Sequence, residues 1–142
     1  MPKRLFIKGA SSGIGAATAR AVSAVGWEVG LFARSEDKLN ALANELNGAT
    51  VLPGDVTKLD EIDAAMEAFG DIDAVFANAG KGLDTPGTEA GDPEAWHDLI
   101  HVNVMGVLYT AKAAMPRLRA RKGHMVLTGS AAGRRHIKGS VY

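Results

Sequence analysis

Three glycines, Gly9, Gly13 and Gly15, follow a short apolar run and open a long amphipathic one, in the spacing Gly-x-x-x-Gly-x-Gly. A strand that turns through glycines into a helix N-terminus presents free N–H groups and the positive end of a helix dipole, which suits a pyrophosphate. Gly9 is expected to make the tight turn, Gly13 to let the phosphates approach the backbone, and Gly15 to let the helix pack close to the sheet. The next apolar run closes on Arg34, followed by Ser35. An acidic residue there would accept from a free ribose 2′-OH. Arg34 is instead a fork of donors suited to a 2′-phosphate, with Ser35 as a helper, so the pair predicts NADP rather than NAD. A solvated arginine beside a helix cap is the alternative reading.

These residues need elements to hold them, and the chain alternates short apolar runs with longer amphipathic ones. Strands are expected at 4–7, 28–33, 50–53, 73–80 and 124–129. Between them the apolar spacing predicts helices over 14–25, 36–46, from Thr57 to about Gly70, and from Asp92 to about Arg121. Ser35, Thr57 and Asp92 are the expected caps, with Pro93 in the last helix's first turn. Within that helix Trp96, Leu99, Ile100, Val107, Ala111 and Ala114 form an apolar stripe that includes Asn103. A buried amide left unpaired costs about 1–3 kcal/mol, so Asn103 should have a partner. Five strands alternating with four helices imply one α/β domain over residues 1–142, a doubly wound parallel sheet.

Bulk properties exclude several functions. The 142 residues carry 16 basic and 16 acidic side chains, so no whole-chain field favours nucleic acid or an anionic membrane. There is no cysteine, hence no disulfide, thiol nucleophile or thiolate metal site. No apolar run approaches a membrane span, and a cytoplasmic protein is expected. Arg117, Arg119, Arg121 and Lys122 cluster where a helix dipole favours cations. His97 and His101 stand four apart on a helix but lack an accompanying His-Glu-x-x-His motif, so no metal is expected.

The glycine spacing, with "NAG" at Asn78 to Gly80, "HVNVMG" around Asn103 and "LTGSAAG" around Ser130, closely resembles the short-chain dehydrogenase/reductase family over the whole chain. The resemblance implies a Rossmann-like sheet of strand order 3-2-1-4-5, with further strands beyond the fifth. It implies that Ser11, Ser12 and Ile14 join the three glycines around the cofactor. Asp55 and Val56 would hold the adenine ring, and Asn78, Ala79 and Gly80 would shape the cofactor floor. Asn103 would hold a water in a proton relay, Ser130 would hydrogen-bond the substrate carbonyl, and Tyr142 would handle the proton. Taken alone, Asp55 also reads as a turn residue, Asn103 as a structural hydrogen bond, Ser130 as a cap and Tyr142 as a half-buried core residue.

The sequence departs from the family pattern twice. Lys8 stands where threonine is usual, and its cation could reach a phosphate. The chain stops at Tyr142, whereas the family carries a lysine four residues later that brings the tyrosine's pKa, ordinarily about 10, toward neutrality. The 142 residues are therefore expected to be part of a longer enzyme and inactive by themselves. The implied function is an NADP-dependent oxidoreductase acting on a small carbonyl or alcohol substrate, assembled as a homo-dimer or homo-tetramer. The alternative is a non-catalytic NADP-binding domain, a sensor or partner subunit. A mononucleotide binder is disfavoured by Arg34.

Overall fold

The computed structural model describes residues 1–82 and 88–134. Strand β1 (Arg4–Lys8) leads into helix α1 (Gly13–Ala24), then β2 (Glu28–Ala33), α2 (Glu36–Glu45), β3 (Ala49–Pro53), α3 (Leu59–Phe69) and β4 (Ala74–Ala77). Helix α4 (Pro93–Ile100), a π-turn (His101–Met105) and α5 (Gly106–Arg121) follow, then β5 (His124–Leu127). The strands form one sheet in the order β3-β2-β1-β4-β5, with every neighbouring pair parallel. The strand order reverses between β1 and β4, and in such sheets the crevice outside the strands' C-terminal ends is the binding position.

Alternation along the central strands sends side chains into two cores. Leu5, Ile7, Val29 and Leu31 pack with Ala16 and Ala19 of α1 and with Leu39 and Leu42 of α2. Phe6, Phe32 and Val75 pack on the other face with Ile62, Met66 and Phe69 of α3 and with Ala114 and Leu118 of α5. Both faces of the middle strands are covered, which is why they read as continuous apolar runs. Arg117 and Arg121 fasten α5: Arg117 pairs with Asp63 and Glu67, and Arg121 with Asp71 and Asp73.

Three local expectations are corrected. The predicted single helix from Asp92 to Arg121 is interrupted by the π-turn, although the backbone stays right-handed helical through Ile100, His101, Met105 and Gly106. Ile100, counted in the apolar stripe, is 52% exposed, while Leu99 beside it at the end of α4 is buried. Thr57 does not cap α3. Its hydroxyl and N–H both donate to Asp55 Oδ1, at 2.8 and 2.9 Å, and Lys58 takes the cap position. Asp92 does cap, accepting the Glu94 N–H at 3.0 Å.

Candidate functional site: a cavity at the switch point

The loops leaving the C-terminal ends of all five strands surround one cavity of about 870 Å³. Gly9, Ser11, Ser12, Gly13 and Ile14 reach it after β1, Arg34 and Ser35 after β2, and Asp55 and Val56 after β3. Asn78, Ala79 and Gly80 line it after β4, Ser130 after β5, and Asn103 enters from the π-turn. Gly15 lies behind this wall and is buried. Tyr142 lies outside the described residues.

The glycine turn is built by close backbone packing. Gly9 has φ +82° and donates its N–H to the Phe32 carbonyl at 2.8 Å. A Cβ on Gly9 would lie 2.7 Å from Ala79 Cα, and one on Gly15 would collide with the Gly9 carbonyl. A Cβ on Gly13 would meet nothing within 4 Å, so this part of the turn opens onto the cavity. Helix α1 begins at Gly13 with no side-chain cap and no acidic residue in its first turn. Its first N–H groups are thus neither blocked by a capping oxygen nor opposed by a carboxylate, and they fit an anionic diphosphate. Exposed Arg34 and Ser35 add donors on the same wall.

Opposite sides of the cavity are cross-braced. Asn78 Oδ1 accepts from Thr128 Oγ1 at 3.0 Å, joining the ends of β4 and β5. Asn103 Oδ1 accepts from the Lys81 N–H at 2.9 Å, and Asn103 Nδ2 donates to the Lys81 carbonyl at 2.8 Å. The amide thus has the partner its position demanded, in the loop after β4. Ser130 Oγ accepts from the Ala132 N–H at 3.2 Å, which uses the oxygen and leaves the hydroxyl proton able to donate.

Burial pushes the Asp55 carboxyl up, but the hydrogen bonds from Thr57 and the charges of Arg34 and Lys58 outweigh it and hold it below the ordinary carboxylate value. Its backbone N–H donates to Glu61 Oε2 at 2.7 Å, so the loop is fixed at both ends of the residue.

Lys8 contradicts its expectation. Its side chain is fully buried beside Gly106, on the α3/α5 side of the sheet, and it does not line the cavity. The reason is strand alternation: Lys8 is two residues from Phe6 and shares its face. Two charged lining residues were missed, Lys81 and Asp98, whose side chains form an ion pair. Lys81 directly follows the "NAG" turn, which was the available signal. Among the described residues no group of three or more His, Cys, Asp or Glu could hold a metal, and no helix is long and apolar enough to cross a membrane.

A glycine turn feeding an uncapped helix at the switch point of a parallel sheet defines a nucleotide-binding α/β protein of the Rossmann type. The chain belongs to the short chain dehydrogenase family, whose model matches residues 3–142. It is 40% identical over 146 residues to an uncharacterized oxidoreductase of Staphylococcus aureus strain MRSA252, covering 98% of this chain and 63% of the relative. An uncharacterized oxidoreductase of Staphylococcus haemolyticus strain JCSC1435 is 38% identical over 128 residues, 85% of this chain and 55% of that protein. An alcohol dehydrogenase from the archaeon Thermococcus sibiricus complexed with 5-hydroxy-NADP superposes with a TM-score of 0.90 at 36% identity, over 96% of this chain and 62% of that one. A 3-ketoacyl-(acyl-carrier-protein) reductase from Brucella melitensis complexed with NADH gives 0.86 at 29% identity, over 93% and 59%. The chain thus spans less than two thirds of the length of these relatives.

Proposed function

We propose that the protein is a cytoplasmic NADP(H)-dependent oxidoreductase that interconverts a carbonyl and an alcohol. The observation that carries the reading is the shared cavity: Arg34 and the open glycine turn line the same space as Asn103 and Ser130. When bound, the dinucleotide supplies the hydride chemistry. The chain's own part is to bind, orient and move a proton. The first-turn N–H groups of α1 hold the diphosphate, Arg34 and Ser35 hold a 2′-phosphate, and Asp55 with Val56 receives the base. Ser130 donates its hydroxyl proton to the substrate oxygen and so polarises it. Tyr142 exchanges the proton with that oxygen, and Asn103 supports a relay to solvent. The relatives found as complexes with an NADP analogue and with NADH support a nicotinamide dinucleotide. The NADP preference rests on Arg34. A homo-dimer or homo-tetramer is the proposed assembly.

The test is a turnover assay of the protein as its gene encodes it, following NADPH oxidation with a panel of ketones and aldehydes. Wild type is expected to turn over. Tyr142→Phe is expected to abolish turnover and leave NADPH binding nearly intact, because the phenol serves the proton and the glycine turn serves the dinucleotide. Turnover near the wild-type rate in the variant would remove Tyr142 from the mechanism. Tight NADPH binding without turnover on any carbonyl would favour a sensor.

A further inference from the structure

Asp55 lines the cavity with its main chain and one carboxylate oxygen already engaged. Its N–H donates to Glu61 Oε2 at 2.7 Å, and its carbonyl accepts the Lys58 N–H at 3.1 Å. Oδ1 takes both donors of Thr57. Among the described residues no hydrogen bond reaches Oδ2, so that oxygen is the acceptor left for a ligand.

The bond to Glu61 differs in kind from the others. Thr57 and Lys58 belong to the same turn as Asp55, whereas Glu61 is the third residue of α3 and precedes Ile62, which is 0% exposed in the core. A glutamate at this helical position ordinarily reaches back to the N–H of the cap residue. Here the cap is Lys58, and the Asp55 carbonyl already holds its N–H, so Glu61 reaches past it to Asp55. Gly54 leaves room for the approach: a Cβ there would lie 2.5 Å from the Phe32 ring and 3.5 Å from Glu61 Oε2. Lys58 Nζ, 2.9 Å from Glu61 Oε1, offsets the proximity of two carboxylates. The Asp55 N–H first, and Lys58 second, hold the Glu61 carboxyl below its ordinary value, so at neutral pH it is charged and purely an acceptor.

We propose that Glu61 is a positioning residue for the base end of the cavity: by holding the Asp55 N–H it ties the turn to α3 and leaves Asp55 Oδ2 placed to accept from the exocyclic amine of a bound adenine. The proposal rests on the dinucleotide reading above and deepens it, because it makes a residue outside the cavity set how strongly the base is read. An acceptor on a loosened turn would still attract the amine but would pay more ordering entropy on binding.

The experiment compares wild type, Glu61→Ala and Glu61→Gln in the protein as its gene encodes it. NADPH and its deamino analogue, in which hypoxanthine replaces adenine and the exocyclic amine is gone, are titrated against each. Amide hydrogen exchange is read at Asp55 in the ligand-free proteins, with α2 as the internal control. Wild type is expected to prefer NADPH about tenfold, and Glu61→Ala about twofold or less. The Asp55 amide is expected to exchange about tenfold faster in Glu61→Ala, with α2 unchanged. Glu61→Gln keeps an oxygen for the Asp55 N–H and should keep both the protection and most of the preference. An unchanged preference or an unchanged Asp55 amide in Glu61→Ala would overturn the proposal. So would a Glu61→Gln variant as impaired as Glu61→Ala, or exchange rising equally in α2, which would mark a merely structural role. If wild type binds neither dinucleotide, the proposed function fails and takes this inference with it. Tight NADPH binding with the same preference in every variant would remove Glu61 alone.

Discussion

Asn103 grips the main chain of Lys81 from both sides, accepting its N–H at 2.9 Å and donating to its carbonyl at 2.8 Å. One amide thus locks the π-turn to the loop that follows Gly80. A Cβ on Gly80 would sit 3.3 Å from Asn103 Oδ1, so the loop comes this close because it is bare there. Asn103→Ala loses both bonds, and about 1–3 kcal/mol of stability is expected to go with them. Asn103→Asp keeps the acceptor but sets a carboxylate oxygen against the Lys81 carbonyl, so it should not rescue. Thermal melts of the three proteins check this, and a fully stable Asn103→Asp would contradict it.

Gly15 presses on the Gly9 carbonyl, and its Cβ position is 3.1 Å from Asn78 Nδ2. The obstacle is main chain, which cannot rotate aside. Gly15→Ala is therefore expected to cost about 1–3 kcal/mol and to shift the turn away from a bound diphosphate. NADPH affinity measured beside denaturant unfolding should show both losses in the one variant.

Burial lowers the Lys8 amine from 10.5 to about 8. Among the described residues no carboxylate pairs with it. Below pH 8 both the folded and unfolded chains are protonated there, and the folded state bears the full desolvation cost. Between about pH 8 and 10.5 the unfolded chain binds more protons than the folded one, so the cost fades as pH rises. Lys8→Met should be more stable than wild type at pH 7, and the gap should shrink across that window. Parallel denaturant titrations at several pH values measure it, and a constant gap would contradict a buried titrating amine.

Burial pushes the Asp73 carboxyl up, but hydrogen bonds from Arg121 and from the Arg4 N–H outweigh it and hold the carboxyl below its ordinary value. Stability from this group is full above the unfolded carboxylate pKa and lost as pH falls through the depressed one. Arg121→Ala removes the Arg121 Nε contact at 2.9 Å. Acid unfolding of the variant is expected to begin at higher pH than in wild type.

Much of this architecture was legible from local patterns. The run Glu28 to Ala33 was bounded correctly because Trp27 and Arg34 flank a strand buried on both faces. Asp92 and Pro93 announced α4 because a cap and a first-turn proline act within a few residues. What was not legible depended on tertiary competition. Thr57 reads as a cap, but Asp55 takes its hydroxyl first. The π-turn leaves no mark in an apolar pattern because a single inserted residue is smaller than the tolerance of the helical period. Lys8 was misdirected because its charge was weighed and its strand alternation with Phe6 was not. The clustering of Gly9, Arg34, Asp55, Asn78 and Ser130 followed from their shared place after successive parallel strands.

The central claim is that the switch-point cavity takes a dinucleotide and that Arg34 reads its 2′-phosphate. The direct measurement is equilibrium titration of NADPH and NADH against wild type and Arg34→Ala in the protein as its gene encodes it. Loss of a charge-assisted hydrogen bond worth roughly 1.5–3 kcal/mol weakens NADPH about tenfold to a hundredfold. NADH, lacking the phosphate, should bind both proteins alike. An equal loss for the two dinucleotides, or none for either, would contradict the account.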